Sequence, residues 1–277
     1  MRTIPLPSGE HVPVLGLGTW HMGERPERRQ NEADAIRWAV DHGMKLVDTA
    51  EMYGDGAAET LIGEALRGRR ADAFIVSKVL PHHATRRGTV AACEDSLRRL
   101  GTDYLDMYLL HWPGAVPLDE TLAAFDALER AGKIRSWGVS NFDTPDMEEV
   151  LALPGGKAVA ANQVLYNLMR RGIEFDLMPW CRERKLPIMA YSPLEQGRLL
   201  RDPEVLRLAA EHGATPAQIA LRWVLCDGLT IALPKAGTPA HARELCGALD
   251  IPLSQQDMAA LDRIFPPPGR KLPLEVI

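Results

Sequence analysis

Four side chains in the first half of this sequence could, if brought together, deliver a proton to a carbonyl oxygen. Asp48 and Tyr53 lie in "KLVDTAEMYGDGAAE", an apolar run that breaks into a glycine-bearing turn. Lys78 interrupts the apolar run "FIVSKVL", and His111 follows "MYLL". A free phenol has a pKa of about 10 and is a weak acid at neutral pH. A neighbouring ammonium stabilises the phenolate, so Lys78 is expected to lower the pKa of Tyr53. Asp48 would keep Lys78 charged in a desolvated site, and His111 would orient the oxygen. Charge develops on that oxygen when hydride adds to the carbon. None of the four can supply hydride, so a cofactor is required. Singly, each residue has a plainer role: a helix cap for Asp48, a snorkelling lysine, a core histidine, a loop aromatic.

The elements that carry these residues repeat. Short apolar, β-branched runs ("PVLGLGTW", "KLVDTA", "AFIVSKV", "YLDMYLLHW", "IRSWGVSN", "VAANQVLY", "LPIMAYSPL", "LTIALPKA") alternate with segments of helical period. Their polar ends, Trp20, Asp48, Lys78, His111, Ser140, Gln163, Ser192 and Lys235, recur about every 30 residues, the size of a βα unit. Eight such units predict an α/β fold, the (β/α)8 TIM barrel, in which all strand C-termini share one rim and the four groups meet. An open doubly wound sheet is the alternative. "TIPLPSGEHVPVLG" predicts an N-terminal β-hairpin turning at Ser8-Gly9. Thr144-Pro145, Thr215 to Gln218 and Thr238-Pro239 carry helix-start signals. An extra C-terminal helix is expected from Ser254 to about Ile264, followed by a proline-rich tail, Pro266–Ile277. No linker divides residues 1–277, which read as one domain.

At the other strand ends, Ser140, Asn141 and Gln163 offer donors and acceptors suited to a carboxamide. Tyr191 offers a ring for stacking on a flat heteroaromatic face. Lys235 lies just before the Thr238 N-cap, a pattern suited to an anion. The G-x-G-x-x-G fingerprint is missing: Gly16 and Gly18 lack the third glycine and read as close-packing or turn residues.

Composition limits the partners. The 277 residues carry a formal net charge of -5, with basic and acidic side chains interspersed except for short clusters such as "ERPERR". Neither nucleic acid nor a membrane is the expected partner. Neither a secretory signal nor a membrane-spanning run is expected from these residues, and four scattered cysteines without a CxxC pair fit a reducing cytoplasm. No metal is expected. A small-molecule carbonyl substrate and a monomer or weak homo-oligomer are.

In "DTAEMYGDGAAETLIGEAL", "IVSKV", "DYLDMYLLHWP", "GKIRSWGVSNF", "NQVLYN", "AYSPL" and "LPKAGTPAHAREL", in that order, the chain resembles the aldo-keto reductase superfamily, particularly its compact bacterial members. The resemblance implies an NADPH-dependent barrel with a catalytic tetrad at Asp48, Tyr53, Lys78 and His111. It implies nicotinamide contacts from Ser140, Asn141, Gln163 and Tyr191, with Ser192 and Leu194 beside the pyrophosphate. Lys235 would meet the adenosine 2'-phosphate, near Thr238 and His241, with Glu244 by the adenine. Trp20 and Trp112 would line the substrate mouth. Many relatives have a hydroxyl, an arginine and an asparagine where this chain has Ala236, His241 and Leu245. NADPH preference would then rest mainly on Lys235.

Short rim loops predict an open, apolar-rimmed pocket for small aldehydes and α-dicarbonyls of the methylglyoxal type. Two other readings compete. One is an NADPH-binding redox sensor or regulatory subunit with little turnover. The other is a metal-dependent hydrolase using His82, His83, His111 and Asp48, which lacks paired strand-borne histidines.

Overall fold

A computed structural model describes residues 1–277. The chain opens with a two-stranded antiparallel hairpin, β1 (Thr3–Pro5) and β2 (His11–Pro13), with Gly9 at positive φ in the turn. Eight parallel strands follow in sequential order: β3 (Leu17–Gly18), β4 (Leu46–Asp48), β5 (Phe74–Val79), β6 (Leu105–Leu110), β7 (Ile134–Ser140), β8 (Asn162–Leu165), β9 (Ile188–Tyr191) and β10 (Thr230–Leu233). The last meets the first. Leu15 bridges Ala232 and Gly18 bridges Lys235, both in parallel, and the Gly16 N–H donates to the Ala232 carbonyl at 2.9 Å. This closure makes the sheet a barrel and removes the open-sheet alternative.

The two glycines of "LGLG" are what allow the closure. A Cβ on Gly16 would lie 2.9 Å from the Leu46 carbonyl, and one on Gly18 would lie 3.0 Å from the Leu233 carbonyl. Of the two roles that the sequence left open, packing and turn, these are packing positions.

Every residue of β5 and of β6 is buried, as expected of strands covered on one face by the barrel interior and on the other by helices. The covering helices are α1 (Pro26–Asp41), α2 (Ala57–Ala65), α3 (Arg86–Leu100), α4 (Leu118–Arg130), α5 (Thr144–Ala152), α6 (Leu177–Glu183), the pair α7 (Pro203–Glu211) and α8 (Pro216–Val224), and α9 (Pro239–Cys246); α10 (Gln255–Ile264) is the extra helix. Their starts follow local chemistry. Thr215 and Gln218 form the reciprocal box at α8, and Thr238 Oγ1 accepts the His241 N–H at α9. At α5 the helix opens at Thr144-Pro145 as expected, capped by Asp143 in a reciprocal box with Asp146. One contiguous core of 77 buried residues runs from the hairpin's Ile4 to Leu261 of α10. The hairpin sits at the strand-start end, where Glu10 faces Arg135 of β7. No helix is long and apolar enough to cross a membrane.

Candidate active site

The C-terminal ends of the strands deliver polar side chains to one rim, as barrel closure requires. Lys78 comes from β5 and is completely buried. Its Nζ lies 2.8–2.9 Å from the two carboxylate oxygens of Asp48, at the end of β4. It also donates to the Thr49 carbonyl at 2.8 Å and to the Tyr53 hydroxyl at 3.3 Å. An ammonium has three protons, and here all three have acceptors. This arrangement keeps Lys78 charged. Burial alone would lower its pKa, but Asp48 and then Tyr53 outweigh burial and leave it raised.

Asp48 is fixed by a further partner, since Gln163 Nε2 of β8 donates to its Oδ1 at 2.8 Å. Gln163 was expected to face a cofactor amide. It also faces this carboxylate, a link across the barrel that spacing along the chain does not reveal.

Tyr53 differs from expectation. Burial raises its pKa, and the lowering by Lys78 does not overcome that; Asp48 pushes the same way as burial. The phenol is therefore fully protonated at neutral pH. Lys78 stabilises the phenolate only after the proton has left, because the ammonium already lies within hydrogen-bond distance of the oxygen.

His111 follows β6, packed between the edge of Tyr53 (ring centroids 6.0 Å apart) and the Trp112 indole (4.9 Å). Burial, aided by the Lys78 charge, pushes its pKa down to about 2. The ring is neutral at physiological pH and carries one N–H. Its Nδ1 is buried without a hydrogen-bond partner, so packing rather than hydrogen bonding at that nitrogen sets the ring's orientation.

Asp48, Tyr53 and His111 open onto a cavity of about 950 Å³, with Lys78 beneath its floor. One wall carries Ser140, Asn141, Gln163 and Tyr191. The Tyr191 hydroxyl donates to Asn141 Oδ1 at 2.9 Å, and Asn141 Nδ2 donates to the His111 carbonyl at 3.0 Å and to Ser140 Oγ at 3.2 Å. Asn141 adopts φ 59°, a strained value for a side-chain-bearing residue that aims its amide inward. Ser192, also at positive φ, and Leu194 line the cavity further along, and Lys235 and His241 stand at its far end. Thr238 contributes the α9 cap and is not on the wall. Glu244 is also off the wall, and its carbonyl accepts from Gln218 Nε2 at 2.7 Å.

Trp20 and Trp112 form part of the mouth, each more than a third exposed. Sequence reasoning missed their neighbour Met52 and left the place of the tail open; its last two residues, Val276 and Ile277, also line the cavity. The tail is held by Lys271, which reaches Asp143 and Asp176, and by Glu275, which pairs with Arg170. Arg170 in turn holds the buried Glu195 at 3.0 Å. A proline-rich segment gives no periodic signal, so its path could not be read. Arg28 was missed too; it lines the far end from the first turn of α1.

Such a site can place a neutral hydrogen-bond donor and a protonated phenol around one oxygen, with a fixed cation behind the phenol. That is machinery for protonating a carbonyl oxygen as it becomes an alkoxide. His82 and His83 lie on a short turn after β5, where His83 meets Glu51, and no three side chains among His, Cys, Asp and Glu are grouped to hold a metal ion.

Known proteins share this architecture and sequence. Methylglyoxal reductase YeaE of Escherichia coli K12 is 48% identical over 271 residues, covering 96% of this chain and 95% of that protein. Glyoxal reductase of Bacillus subtilis is 34% identical, covering 95% of this chain and 92% of its own length. A Klebsiella pneumoniae aldo-keto reductase crystallised with NADPH superposes with a TM-score of 0.97 at 49% identity, over 100% of this chain and 99% of that one. The family model "Aldo/keto reductase family" matches residues 14–265, and the chain belongs to that family.

Proposed function

We propose that this protein reduces small aldehydes and α-dicarbonyls of the methylglyoxal type to alcohols, using NADPH, with Tyr53 as general acid. The observation that carries the reading is the Asp48–Lys78–Tyr53 chain of hydrogen bonds opening, beside a neutral His111, onto a cavity with an amide-rich wall. The wall fits the cofactor. Ser140, Asn141 and Gln163 present the paired donors and acceptors a carboxamide needs, the Tyr191 ring is available for stacking, and Lys235 provides positive charge at the far end, with His241 beside it. The NADPH-bound Klebsiella relative supports the same choice.

When bound, the reduced nicotinamide supplies hydride to the carbonyl carbon. The chain's own residues do the rest. The His111 N–H holds the carbonyl oxygen, and the carbon–oxygen π pair moves onto that oxygen. Tyr53 gives its proton there, leaving a phenolate next to Lys78. Asp48, itself held by Gln163, keeps the ammonium in place, and water restores the phenol afterwards.

Trp20, Met52, Trp112, Val276 and Ile277 give the mouth an apolar rim. The tail occupies one side of it. This favours compact substrates, in keeping with the methylglyoxal and glyoxal reductases among the relatives. We place the activity in a single-domain cytoplasmic enzyme.

The test is NADPH oxidation by the purified protein across methylglyoxal, glyoxal, short aldehydes and steroidal ketones. Highest kcat/KM for the dicarbonyls and short aldehydes is expected. Preference for the steroidal ketones would overturn the substrate class. Tight NADPH binding with no turnover of any carbonyl would replace the enzyme by a redox sensor.

A further inference from the structure

The far end of the cavity holds a second cation besides Lys235. Helices α1 and α9 pack side by side, and both begin there, at Pro26 and Pro239. Arg28 sits in the first turn of α1 and His241 in the first turn of α9, and both line the same end of the cavity as Lys235.

The pairing pattern around Arg28 is informative. Its neighbour Arg29 is engaged by Glu64 at 2.8 Å. Arg28 has no ion pair and no side-chain hydrogen bond within the protein. The nearby carboxylates are already in use. Glu24 accepts from His21 at 3.0 Å, and the buried Glu32 accepts the Gly23 N–H at 2.8 Å. Lys235 has one partner, the His21 carbonyl at 3.1 Å, which leaves two of its N–H groups available. A cation in the first turn of a helix opposes the helix dipole. Two cations without an ion pair, Arg28 and Lys235, therefore face one end of a ligand cavity, close enough for the Arg28 charge to act on Lys235, with the Glu32 and Glu24 carboxylates nearby.

Resting on the NADPH reading above, we propose that Arg28 is a cofactor-specificity residue: its guanidinium, from α1, closes the site for the adenosine 2'-phosphate opposite Lys235 and His241. A guanidinium presents planar, paired N–H donors that match phosphate oxygens and remain charged at every physiological pH. Arg28 thus provides the permanent cation that the α9 side of the site does not. NADPH preference is shared between two elements far apart in sequence.

The experiment is calorimetric titration of wild type, Arg28→Gln, Arg28→Lys and Lys235→Ala with NADPH, NADH and adenosine 2',5'-bisphosphate. Arg28→Gln is expected to weaken NADPH and the bisphosphate by about tenfold, the effect of losing one charge-assisted contact. Its NADH affinity should stay within about twofold, and Arg28→Lys should recover part of the loss. The log Kd of NADPH should also lose salt dependence in Arg28→Gln. If Arg28→Gln leaves NADPH and the bisphosphate unchanged while Lys235→Ala weakens both, the role of Arg28 is overturned and the NADPH reading stands. If the wild type binds NADPH and NADH equally and Lys235→Ala has no effect, the phosphate site itself is lost and both fall.

Discussion

The barrel contains a buried ionic cluster at each end, and the two are built to different rules. At the strand-start end, Asp106 of β6 is closed off. Its Oδ2 accepts from Arg70 at 2.6 Å and from the Ile75 N–H at 2.8 Å, and its Oδ1 lies 3.2 Å from Arg135. The two guanidinium groups lie 4.0 and 4.3 Å from the centroid of the Tyr104 ring. Every acceptor site that matters has a partner, and none of these groups faces the catalytic cavity. At the strand-finish end, Lys78 and Asp48 are equally buried, but the chain of donors terminates at a phenol exposed to the cavity. Burying ions is costly in both places, and replacing such pairs by apolar residues is often neutral for stability. What separates the ends is whether a proton can leave. The Asp106 cluster ties strands together; the Lys78 cluster holds charge ready for an event at Tyr53.

The largest effect that would break this comparison comes from Lys78→Met. It strands the Asp48 carboxylate in the core and removes the cation behind Tyr53. Stability should fall by about 3–5 kcal/mol in urea unfolding, and kcat should fall by about 10²–10⁴. A fall in stability with activity intact would mean that the two clusters serve the same purpose. Asp106→Asn is the matched control. It loses one charge between two partly exposed arginines, and about 1–3 kcal/mol of stability is expected to go, with kcat within about twofold of wild type once folding is confirmed.

A third effect concerns pH. His111 has its pKa lowered by burial from 6.5 to about 2. The unfolded chain takes up this proton below pH 6.5, whereas the folded chain refuses it until about pH 2. The ring's contribution to stability is therefore complete above the upper value and drains away as pH falls towards the lower one. His111→Gln should flatten the acid limb of Tm against pH. In the wild type at saturating NADPH, kcat/KM for the carbonyl should show no ionisation of His111 between about pH 5 and 8. A bell centred there would contradict a neutral His111.

The smallest effect is expected in the tail. Glu275→Gln weakens a partly exposed ion pair with Arg170 worth at most about 1 kcal/mol, so KM should rise by up to about fivefold while kcat holds. A change in kcat instead would place the tail's anchor in the chemical step.

Much of this was legible in the sequence, for identifiable reasons. Asp48, Lys78 and His111 each end or interrupt an apolar run, and the βα period put those ends on one rim. Thr215 and Gln218 carried their helix start in side-chain chemistry alone. Thr144-Pro145 likewise marked the start of α5, whose cap, Asp143 boxed with Asp146, lies one residue earlier. The sign of the Tyr53 shift was not legible, since spacing reveals which charge comes near but not how much water is excluded. The Gln163–Asp48 bond spans the barrel and depends on strand register. Arg28 lay hidden in "ERPERR", a run that reads as solvated charge until α1 turns one of its members into the cavity.

The most direct test of the central claim, that Tyr53 supplies the proton, is single-turnover NADPH oxidation with methylglyoxal in wild type and Tyr53→Phe, with NADPH Kd measured on both. The account predicts that the chemical step slows by about 10²–10⁴ in the variant and that its NADPH Kd is unchanged. A variant that turns over at the wild-type rate with normal cofactor binding would contradict it, and the proton would have to come from elsewhere.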